Sequence, residues 1–169
     1  MKKPARIYIG LGANLDHPRY GSPRRTLEAA LAELGRRGVQ IHQVSPWYRT
    51  APVPTSEQPW YFNAIAEVST DWLADQLLAE LHAVEEAFGR LRTVPNAARL
   101  IDLDLIDFKG QIAAGGPAKA ILPHPRLAGR GFVLRPLADL APEWRDPRTG
   151  ATIGDLIARL PHDQTVERF

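Results

Sequence analysis

The chain has 169 residues, of which 44% are hydrophobic and 24% charged, and this composition is typical of a folded globular protein. It contains no cysteine, which excludes disulfides, thiolate metal sites and cysteine nucleophiles and fits a cytoplasmic protein. The formal net charge is only +2, yet residues 90–135 carry eight basic and three acidic side chains, so the rest of the chain carries −3. This concentration of positive charge indicates an anion-binding site in one part of the chain.

The N-terminal region predicts a strand followed by a helix. Residues 6–11 form a strand-like apolar segment, with no signal peptide expected before it and no bilayer-spanning run anywhere in the sequence. Ser22 followed by Pro23 is a helix start, with the serine as N-cap and the proline at the first helical position. The helix is expected to end at Gly35 or Gly38.

Two extended segments, separated by a loop, are expected next. Residues 39–50 are predicted to be extended, with a bulge near Val44 where the alternation of apolar side chains is imperfect. Three prolines in residues 51–59 predict a loop. Residues 61–69 alternate well between apolar and polar side chains and predict the next strand.

A second helix and a further strand complete the predicted core. Thr70 can cap this helix and Gly89 can close it, with apolar residues between them at helical spacing. Residues 100–108 alternate like a strand. The order β-α-β-β-α-β predicts an α+β protein with a ferredoxin-like βαββαβ core of about residues 5–108 and a mostly antiparallel sheet. Its helices are expected to cover one face of the sheet and to leave the other partly open to ligands.

The rest of the chain, about residues 109–169, is expected to be an extension packed on this core. It is too short and too thinly apolar to form a second domain with its own core. Within it we expect a short strand near residues 132–134 and a short helix near residues 153–160. Residues 1–169 are therefore expected to form a single domain.

Two aspartates separated by one residue are the sharpest chemical feature. Asp102 and Asp104 lie in a predicted strand, where such residues share a face with Cα atoms about 6.5–7 Å apart. Like charges this close repel unless a cation holds them together, and hard divalent cations do so best. The alternative is the solvated face of an amphipathic strand. The arginines nearby favour the cation.

These arginines form a second group. Arg90 and Arg92 follow the second helix, and Arg99 precedes the strand that carries the two aspartates. A divalent cation ringed by guanidinium groups is the usual requirement for binding a polyphosphate. The alternative for Arg90 or Arg92 is a surface ion pair with Glu85 or Glu86. Because no P-loop is present, arginines and a metal are expected to hold any nucleoside triphosphate.

A glycine-rich turn and a set of aromatic residues predict the remaining parts of a site. The turn delivers His124 and Arg130 from one loop. Tyr61 and Phe132 can stack on a planar heterocycle while the amide of Asn63 reads its edge. The alternatives are a histidine that only completes a turn, and core packing for Phe132.

Six motifs in chain order carry a resemblance: Gly12–Leu15, Tyr48–Pro52, Gln58–Ala64, Glu85–Arg92, Arg99–Asp104 and Pro123–Phe132. Together they resemble the 6-hydroxymethyl-7,8-dihydropterin pyrophosphokinase family of folate biosynthesis. The resemblance implies a pyrophosphokinase domain that transfers the β,γ-diphosphoryl group of ATP to the pterin hydroxymethyl oxygen and releases AMP. It also implies a monomer. The lack of a bilayer-spanning run and of a signal peptide predicts a cytoplasmic protein without a membrane partner, and the local concentration of positive charge favours a small polyphosphate over nucleic acid.

The same resemblance implies roles for individual residues. Asp102 and Asp104 would ligate two Mg²⁺ ions on the ATP phosphates and would be catalytic together with Arg90, Arg92 and Arg99. The residues implied to bind ATP are Glu85, Arg90, Arg92, Arg99, His124 and Arg130. The residues implied to bind the pterin are Thr50, Val53, Tyr61, Asn63 and Phe132.

Two other functions remain compatible with the residues. One is a catalytically silent paralogue that only binds pterin or nucleotide. The other is an RNA-binding module, because ferredoxin-like sheets with basic flanks often bind RNA. That function predicts aromatic residues in an RNP-like run on the central strands, which the sequence lacks, and Asp102 and Asp104 would repel phosphate without a metal.

Overall fold

The computed structural model describes residues 5–52, 56–90 and 98–169, and the elements named below lie in these parts of the chain. None of the helices there combines the length and apolarity that crossing a membrane requires. The strands are β1 (Ile7–Ala13), β2 (Gln40–Val44), β3 (Tyr48–Thr50), β4 (Tyr61–Ser69), β5 (Asp102–Phe108), β6 (Ala113–Gly116), β7 (Lys119–Leu122) and β8 (Val166–Arg168). The helices are α1 (Pro23–Arg37), α2 (Ala74–Ala87), α3 (Gly131–Leu140) and α4 (Ile153–Ala158), with a 3₁₀ turn at Leu127–Gly129.

The main sheet has the order β5-β1-β4-β3-β8, and β2 pairs with β4 beyond the end of β3. Every strand pair that it contains is antiparallel. Strands β6 and β7 form a separate two-stranded sheet. This mixed architecture with an antiparallel sheet confirms the coarse fold class that the sequence predicts.

One face of the main sheet packs against α1 and α2. Ile9 and Leu11 of β1 are buried here together with Leu34 of α1 and Leu81 of α2. Alternate residues of β1 point to opposite faces, so the glycines and the tyrosine between these apolar residues face the other side. The helices thus fix which face of the sheet remains for a site.

The second face is covered only in part. Tyr8, Ile65 and Ile106 of the sheet are buried against Val133 and Leu137 of α3, in a second cluster that also includes residues of α4. Helices α3 and α4 therefore cover part of this face. What remains open is the end of the face that carries polar side chains.

The strand register brings these polar side chains together. Gly12 lies opposite Asn63 of β4 and also opposite Asp102 of β5, and Gly10 lies opposite Asp104. Because residues directly opposite each other share a face, the amide and both carboxylates flank a strip of β1 that has no side chains. This strip is the floor of the candidate site.

Local capping signals predict the first helix correctly. The Ser22 hydroxyl oxygen accepts a hydrogen bond from the Arg25 N–H, and Pro23 occupies the first turn. Gly38 ends the helix with a φ of 112°, a conformation that favours glycine. The short helix α4 is also confirmed, and it begins with a capping box between Thr152 and Asp155.

The predicted start of the second helix is wrong. Helix α2 begins at Ala74, and the Thr70 hydroxyl is used in the preceding turn. It donates to the Gly38 carbonyl at 3.3 Å and accepts from the Trp72 N–H at 3.3 Å. Thr70 therefore ties this turn to the end of α1 and caps no helix.

The predicted bulge near Val44 is displaced. The register of β2 on β4 shifts between Ile41 and Gln43, and the extended segment divides into β2 and β3. Strand β5 begins at Asp102, two residues later than predicted. The aspartate pair thus lies at the very start of its strand.

The predicted strand at residues 132–134 is also wrong, because this segment belongs to α3. Val133, Leu134 and Leu137 recur at helical spacing and are buried against the sheet. The apolar run of α3 is short and contains Pro136, which normally argues against a helix interior. Burial of the apolar face of α3 against the sheet outweighs this local preference.

Candidate active site

A cavity of about 300 Å³ lies over the floor formed by β1. Four of the residues predicted to bind a planar ligand line it: Thr50, Tyr61, Asn63 and Phe132. The fifth, Val53, lies outside the described residues. Arg99, Asp102 and Arg130 line the same cavity, so aromatic and amide side chains share it with charged ones.

A smaller cavity of about 20 Å³ adjoins the first. It is lined by Asp102 and Asp104, and it shares Gly12, Asn63 and Phe132 with the larger one. Asp104 therefore lies just beyond the larger cavity. Arg92, which the sequence places in the same group, lies outside the described residues.

The amide of Asn63 is held in one orientation. Its Nδ2 donates to the Thr50 Oγ1 at 2.8 Å, and both side chains are buried. The Oδ1 atom lies against Gly12, where a Cβ would be 3.0 Å away. The absence of a side chain at Gly12 thus makes room for an amide oxygen that can accept a hydrogen bond from a ligand.

A partly buried ion-pair network links the end of α2 to the start of β5. Arg90 Nη1 contacts Glu85 Oε2 and lies 2.6 Å from Asp102 Oδ1, while Arg99 Nη1 lies 2.8 Å from Asp102 Oδ2. Glu85 is buried, and its Oε2 also accepts from the Leu103 N–H at 2.9 Å. The ion pair predicted as an alternative for Arg90 is therefore present, but its glutamate is buried and its arginine only partly exposed.

Asp104 is held less closely by positive charge than Asp102 is. His124 Nε2 lies 4.0 Å from its Oδ1, and Arg130 Nη1 lies 3.9 Å from its Oδ2. Burial and the negative charge of Asp102 raise the pKa of Asp104, an effect that Arg130 only partly offsets. Because these two groups lie 3.9–4.0 Å away, the Asp104 oxygens have capacity left to ligate a cation.

The donor set fits a magnesium ion that arrives with a phosphate ligand. Mg²⁺ binds proteins through one or two carboxylates and completes its shell with water and substrate phosphates. Asp102 and Asp104 supply two carboxylates. In the described parts of the chain, no group of three or more histidine or carboxylate side chains forms a metal site from protein alone.

His124 is a neutral hydrogen-bond donor near pH 7. Its Nδ1 accepts from the Arg126 N–H at 3.2 Å, so the ring hydrogen is on Nε2, on the side of Asp104. Burial, with the charges of Arg130 and Arg126, lowers the pKa of His124 to about 4. The ring can therefore donate to an anion without carrying charge.

Asn14 belongs to the site, although the sequence shows only that it is part of a motif. Its side chain is buried, and its Oδ1 accepts from the Arg99 N–H at 2.7 Å. Its Nδ2 donates to the Pro59 carbonyl at 3.0 Å and to Gln58 Oε1 at 3.2 Å. Asn14 thus joins the segment before Tyr61 to the segment that carries Arg99.

Gln164 lines the larger cavity, and the sequence does not reveal it. It lies in the tail, where no motif marks it. Its place in the cavity depends on a hydrogen bond with Gly131, which lies 33 residues earlier in the chain. Such a contact has no local sequence signal.

Comparison with known proteins gives a consistent result. The family described as 7,8-dihydro-6-hydroxymethylpterin-pyrophosphokinase (HPPK) matches residues 8–142. The 2-amino-4-hydroxy-6-hydroxymethyldihydropteridine pyrophosphokinase of Synechocystis is 37% identical over 153 residues, which are 90% of this chain and 74% of that protein. The protein of the same name from Pseudomonas aeruginosa is 35% identical over 159 residues, which are 94% of this chain and 93% of the relative.

Other matches are to longer proteins. The folic acid synthesis protein fol1 of Pneumocystis carinii is 32% identical over 93% of this chain, which spans only 20% of that relative's length. A crystal structure of Plasmodium falciparum HPPK-DHPS with pteroate superimposes with a TM-score of 0.67 at 13% identity. The match covers 91% of this chain and 42% of the other. At this identity it shows a likeness of fold.

Proposed function

The chain belongs to the 7,8-dihydro-6-hydroxymethylpterin-pyrophosphokinase family, and from this we propose that it transfers diphosphate from ATP to 6-hydroxymethyl-7,8-dihydropterin. The products are the pterin diphosphate and AMP, and the reaction serves folate biosynthesis. The observation that carries the proposal is the cavity of about 300 Å³ that combines stacking residues with arginines and a carboxylate. It has room for a flat heterocycle beside a phosphate group.

The pterin is assigned to the aromatic side of this cavity. Tyr61 and Phe132 offer ring faces for stacking, and Asn63 offers an amide oxygen to the N–H groups on the pterin edge. Thr50 supports this recognition because its hydroxyl fixes the orientation of the amide. Val53 is proposed as a further contact on the basis of the family resemblance.

The triphosphate is assigned to the positively charged side. Arg99 and Arg130 line the cavity, and Arg90 pairs with Asp102, which also lines it. His124 adds a neutral N–H donor beside Asp104. Arg92 is proposed to join them. Glu85 is proposed to act through Arg90, because its contacts in the structure are with that guanidinium and the β5 backbone.

Magnesium is assigned to the aspartate pair. Asp102 and Asp104 would hold it, and we propose two ions at this pair. When bound, magnesium neutralises the charge of the ATP phosphates and orients them for attack. The pair suits this role because Asp104 is held less closely by positive charge than Asp102, with Arg130 Nη1 3.9 Å from its Oδ2.

The protein's own groups contribute mainly by positioning and by neutralising charge. The pterin hydroxymethyl oxygen forms a bond to the β-phosphorus of ATP, the bond from this phosphorus to the α,β-bridging oxygen breaks, and the hydroxyl proton is released. Arg90 and Arg99, which pair with Asp102 in the structure, are proposed to bind the phosphates, which would leave the Asp102 carboxylate to hold the metal.

Several finer assignments belong to the same proposal. We assign the core to the ferredoxin-like arrangement, supported by the antiparallel order of β5, β1, β4 and β3. We assign residues 1–169 to a single pyrophosphokinase domain, supported by the packing of α3 and α4 on the second face. A cytoplasmic monomer without nucleic acid partners remains a prediction, and the absence of cysteine is consistent with a reducing compartment.

The direct test is a turnover assay with product identification. The purified protein is incubated with ATP, Mg²⁺ and 6-hydroxymethyl-7,8-dihydropterin, and nucleotides and pterins are separated by chromatography. AMP formed in a one-to-one ratio with pterin diphosphate is expected. Formation of ADP, or binding without turnover as in a silent paralogue, would contradict the proposal.

A pair of variants connects the activity to the site. D104N is expected to abolish turnover while the protein stays folded by circular dichroism, because an amide ligates magnesium far more weakly than a carboxylate. E28Q is the matched control, since Glu28 lies on the outer face of α1 in an exposed pair with Arg24. Turnover by D104N at the rate of the control would refute the assignment of the metal ligand.

A further inference from the structure

The side chain of Gln164 bridges the backbone on both sides of Arg130. Its Nε2 donates to the Gly129 carbonyl at 2.7 Å, and its Oε1 accepts from the Gly131 N–H at 2.9 Å. One primary amide therefore pairs with the backbone groups on both sides of Arg130. Both the donor and the acceptor of the amide are needed for this arrangement.

This contact supplies a cap that α3 lacks. The N-cap residue Arg130 makes no capping hydrogen bond with its side chain, and the first N–H groups of a helix need partners outside it. The Gly131 N–H finds its partner in Gln164. The start of α3, and with it the direction in which Arg130 and Phe132 leave the backbone, is thus fixed from the tail.

The tail approaches this turn closely because Gly131 has no side chain. A Cβ at this position would lie 3.0 Å from Gln164 Oε1 and 3.2 Å from Val166 Cγ2. Both distances are shorter than ordinary packing contacts. Gly131 is therefore needed for space, and its neighbours leave no room for alanine without a shift of the tail.

Residues 164–168 also contact the wall of the cavity that carries Thr50. Strand β8 pairs with β3, with Val166 opposite Thr50, and the Ala51 N–H donates to the Thr165 carbonyl at 3.2 Å. Thr50 fixes the Asn63 amide. Residues 164–168 thus connect the wall that carries Thr50 to the turn that carries Arg130 and Phe132.

We propose that Gln164 is a positioning residue that sets the geometry of the cavity by holding Arg130 and Phe132 in place through the Gly129–Gly131 backbone. It lies beyond residues 8–142, where the family match ends. The inference rests on the proposed function for its catalytic consequence. The contact itself can be tested without activity.

The first test measures hydrogen exchange of backbone amides by NMR in the full chain. Q164A is expected to increase the exchange rate of the Gly131 amide about tenfold, because it removes the acceptor. Q164E is expected to retain most of this protection, since a carboxylate still accepts from Gly131. E167Q is the matched control in the same segment, as Glu167 pairs with Arg49 on the surface. Unchanged exchange at Gly131 in Q164A would overturn the proposal.

The second test separates KM from kcat. Q164A and Q164E are both expected to raise KM for the pterin about tenfold with kcat changed less than about twofold, because Q164E sets a carboxylate oxygen against the Gly129 carbonyl. A loss of kcat alone, in proportion to a loss of folded protein, would show a purely structural role and overturn the proposal. KM values equal to those of E167Q would do the same.

The two tests distinguish failure of this inference from failure of the proposed function. If the unmodified protein forms no pterin diphosphate, the proposed function fails, and the exchange rates still decide whether Gln164 holds the turn. If it turns over normally while Q164A keeps both the exchange rate and the KM, only this inference fails.

Discussion

Gly12 is a residue at which the site is tightly packed. A Cβ there would lie 3.0 Å from the Asn63 Oδ1, so G12A requires the amide, which Thr50 holds, to shift by a few tenths of an ångström. We expect KM for the pterin to rise about tenfold, which is the cost of one well-placed hydrogen bond to a buried group. Steady-state kinetics with saturating ATP measures this directly.

Gly35 offers a matched glycine-to-alanine control. It lies inside α1 with no atom within 4 Å of the position that a Cβ would take. G35A is expected to leave KM unchanged and to increase the free energy of unfolding by about 0.5–1 kcal/mol, because alanine is the better helix former. If G12A keeps the KM of G35A, the tight contact at Gly12 has no role in binding.

Tyr48 gives a pH dependence with a defined sign. Its hydroxyl donates to the Asp139 carboxylate on α3, and burial together with this bond raises the pKa of Tyr48 to about 12. The unfolded value is about 10, so the stabilisation is present in full below pH 10 and is lost as the pH rises through about 12. Urea unfolding between pH 9 and 12 should show a steeper loss of stability in the unmodified protein than in Y48F. Parallel curves would contradict this role.

At the scale of single residues, the sequence identifies side chains with a chemical role more readily than side chains that act through tertiary contacts. Asp102 and Asp104 follow from a two-residue strand period, which needs no tertiary information. Asn14 and Gln164 could not be assigned in the same way, because each acts through hydrogen bonds to segments 30 or more residues distant. The role of Gly12 depends on the register of β1 against β4, which the sequence leaves open.

Helix α3 forms part of the cavity wall, because Phe132 lies in its first turn and lines the cavity. Leu137 of α3 is fully buried where this helix packs on the sheet. L137A should lower the free energy of unfolding by about 2–5 kcal/mol, the usual cost of a cavity left by a buried leucine. Chemical denaturation monitored by circular dichroism measures this loss.

Leu73 provides the matched control for this substitution. It precedes α2 and is 77% exposed, so L73A removes the same atoms without leaving a cavity. Its effect on unfolding should stay within about 0.5 kcal/mol. A loss of stability in L137A no greater than in L73A would contradict the packing of α3 on the sheet.

The elements that the sequence predicts correctly are those with local signals. Helix α1 has Ser22 and Gly38 at its ends, and both act as expected. Helix α3 has no capping side chain at Arg130, and its cap comes from Gln164. The local sequence of residues 132–134 therefore predicts a strand, because the residue that caps the helix lies more than 30 positions later in the chain.

At the scale of the whole molecule, the sheet has a hydrophobic cluster on each face. Trp47 is buried in the cluster with α1 and α2, and Trp144 in the cluster with α3 and α4. Because β1 contributes Ile9 to one cluster and Tyr8 to the other, the two sides should unfold together. The extension would then belong to the same cooperative unit as the core.

Single-tryptophan variants test this cooperativity. In each variant the other three tryptophans are replaced by phenylalanine, so that either Trp47 or Trp144 alone reports unfolding in urea by fluorescence. For each variant, the midpoint from its remaining tryptophan should coincide with the midpoint from circular dichroism. A Trp144 signal lost at clearly lower urea than the circular dichroism signal would show that residues 109–169 form a separate unit.

The function of this family rests on one chemical event, the transfer of two phosphoryl groups as a unit from ATP to the pterin. The most direct test follows ATP labelled with ³²P at the β-phosphorus, incubated with Mg²⁺ and 6-hydroxymethyl-7,8-dihydropterin. The label should move entirely to the pterin product, with one labelled product for each AMP. Label that remains in ADP, with only the γ-phosphoryl group transferred, would contradict the account.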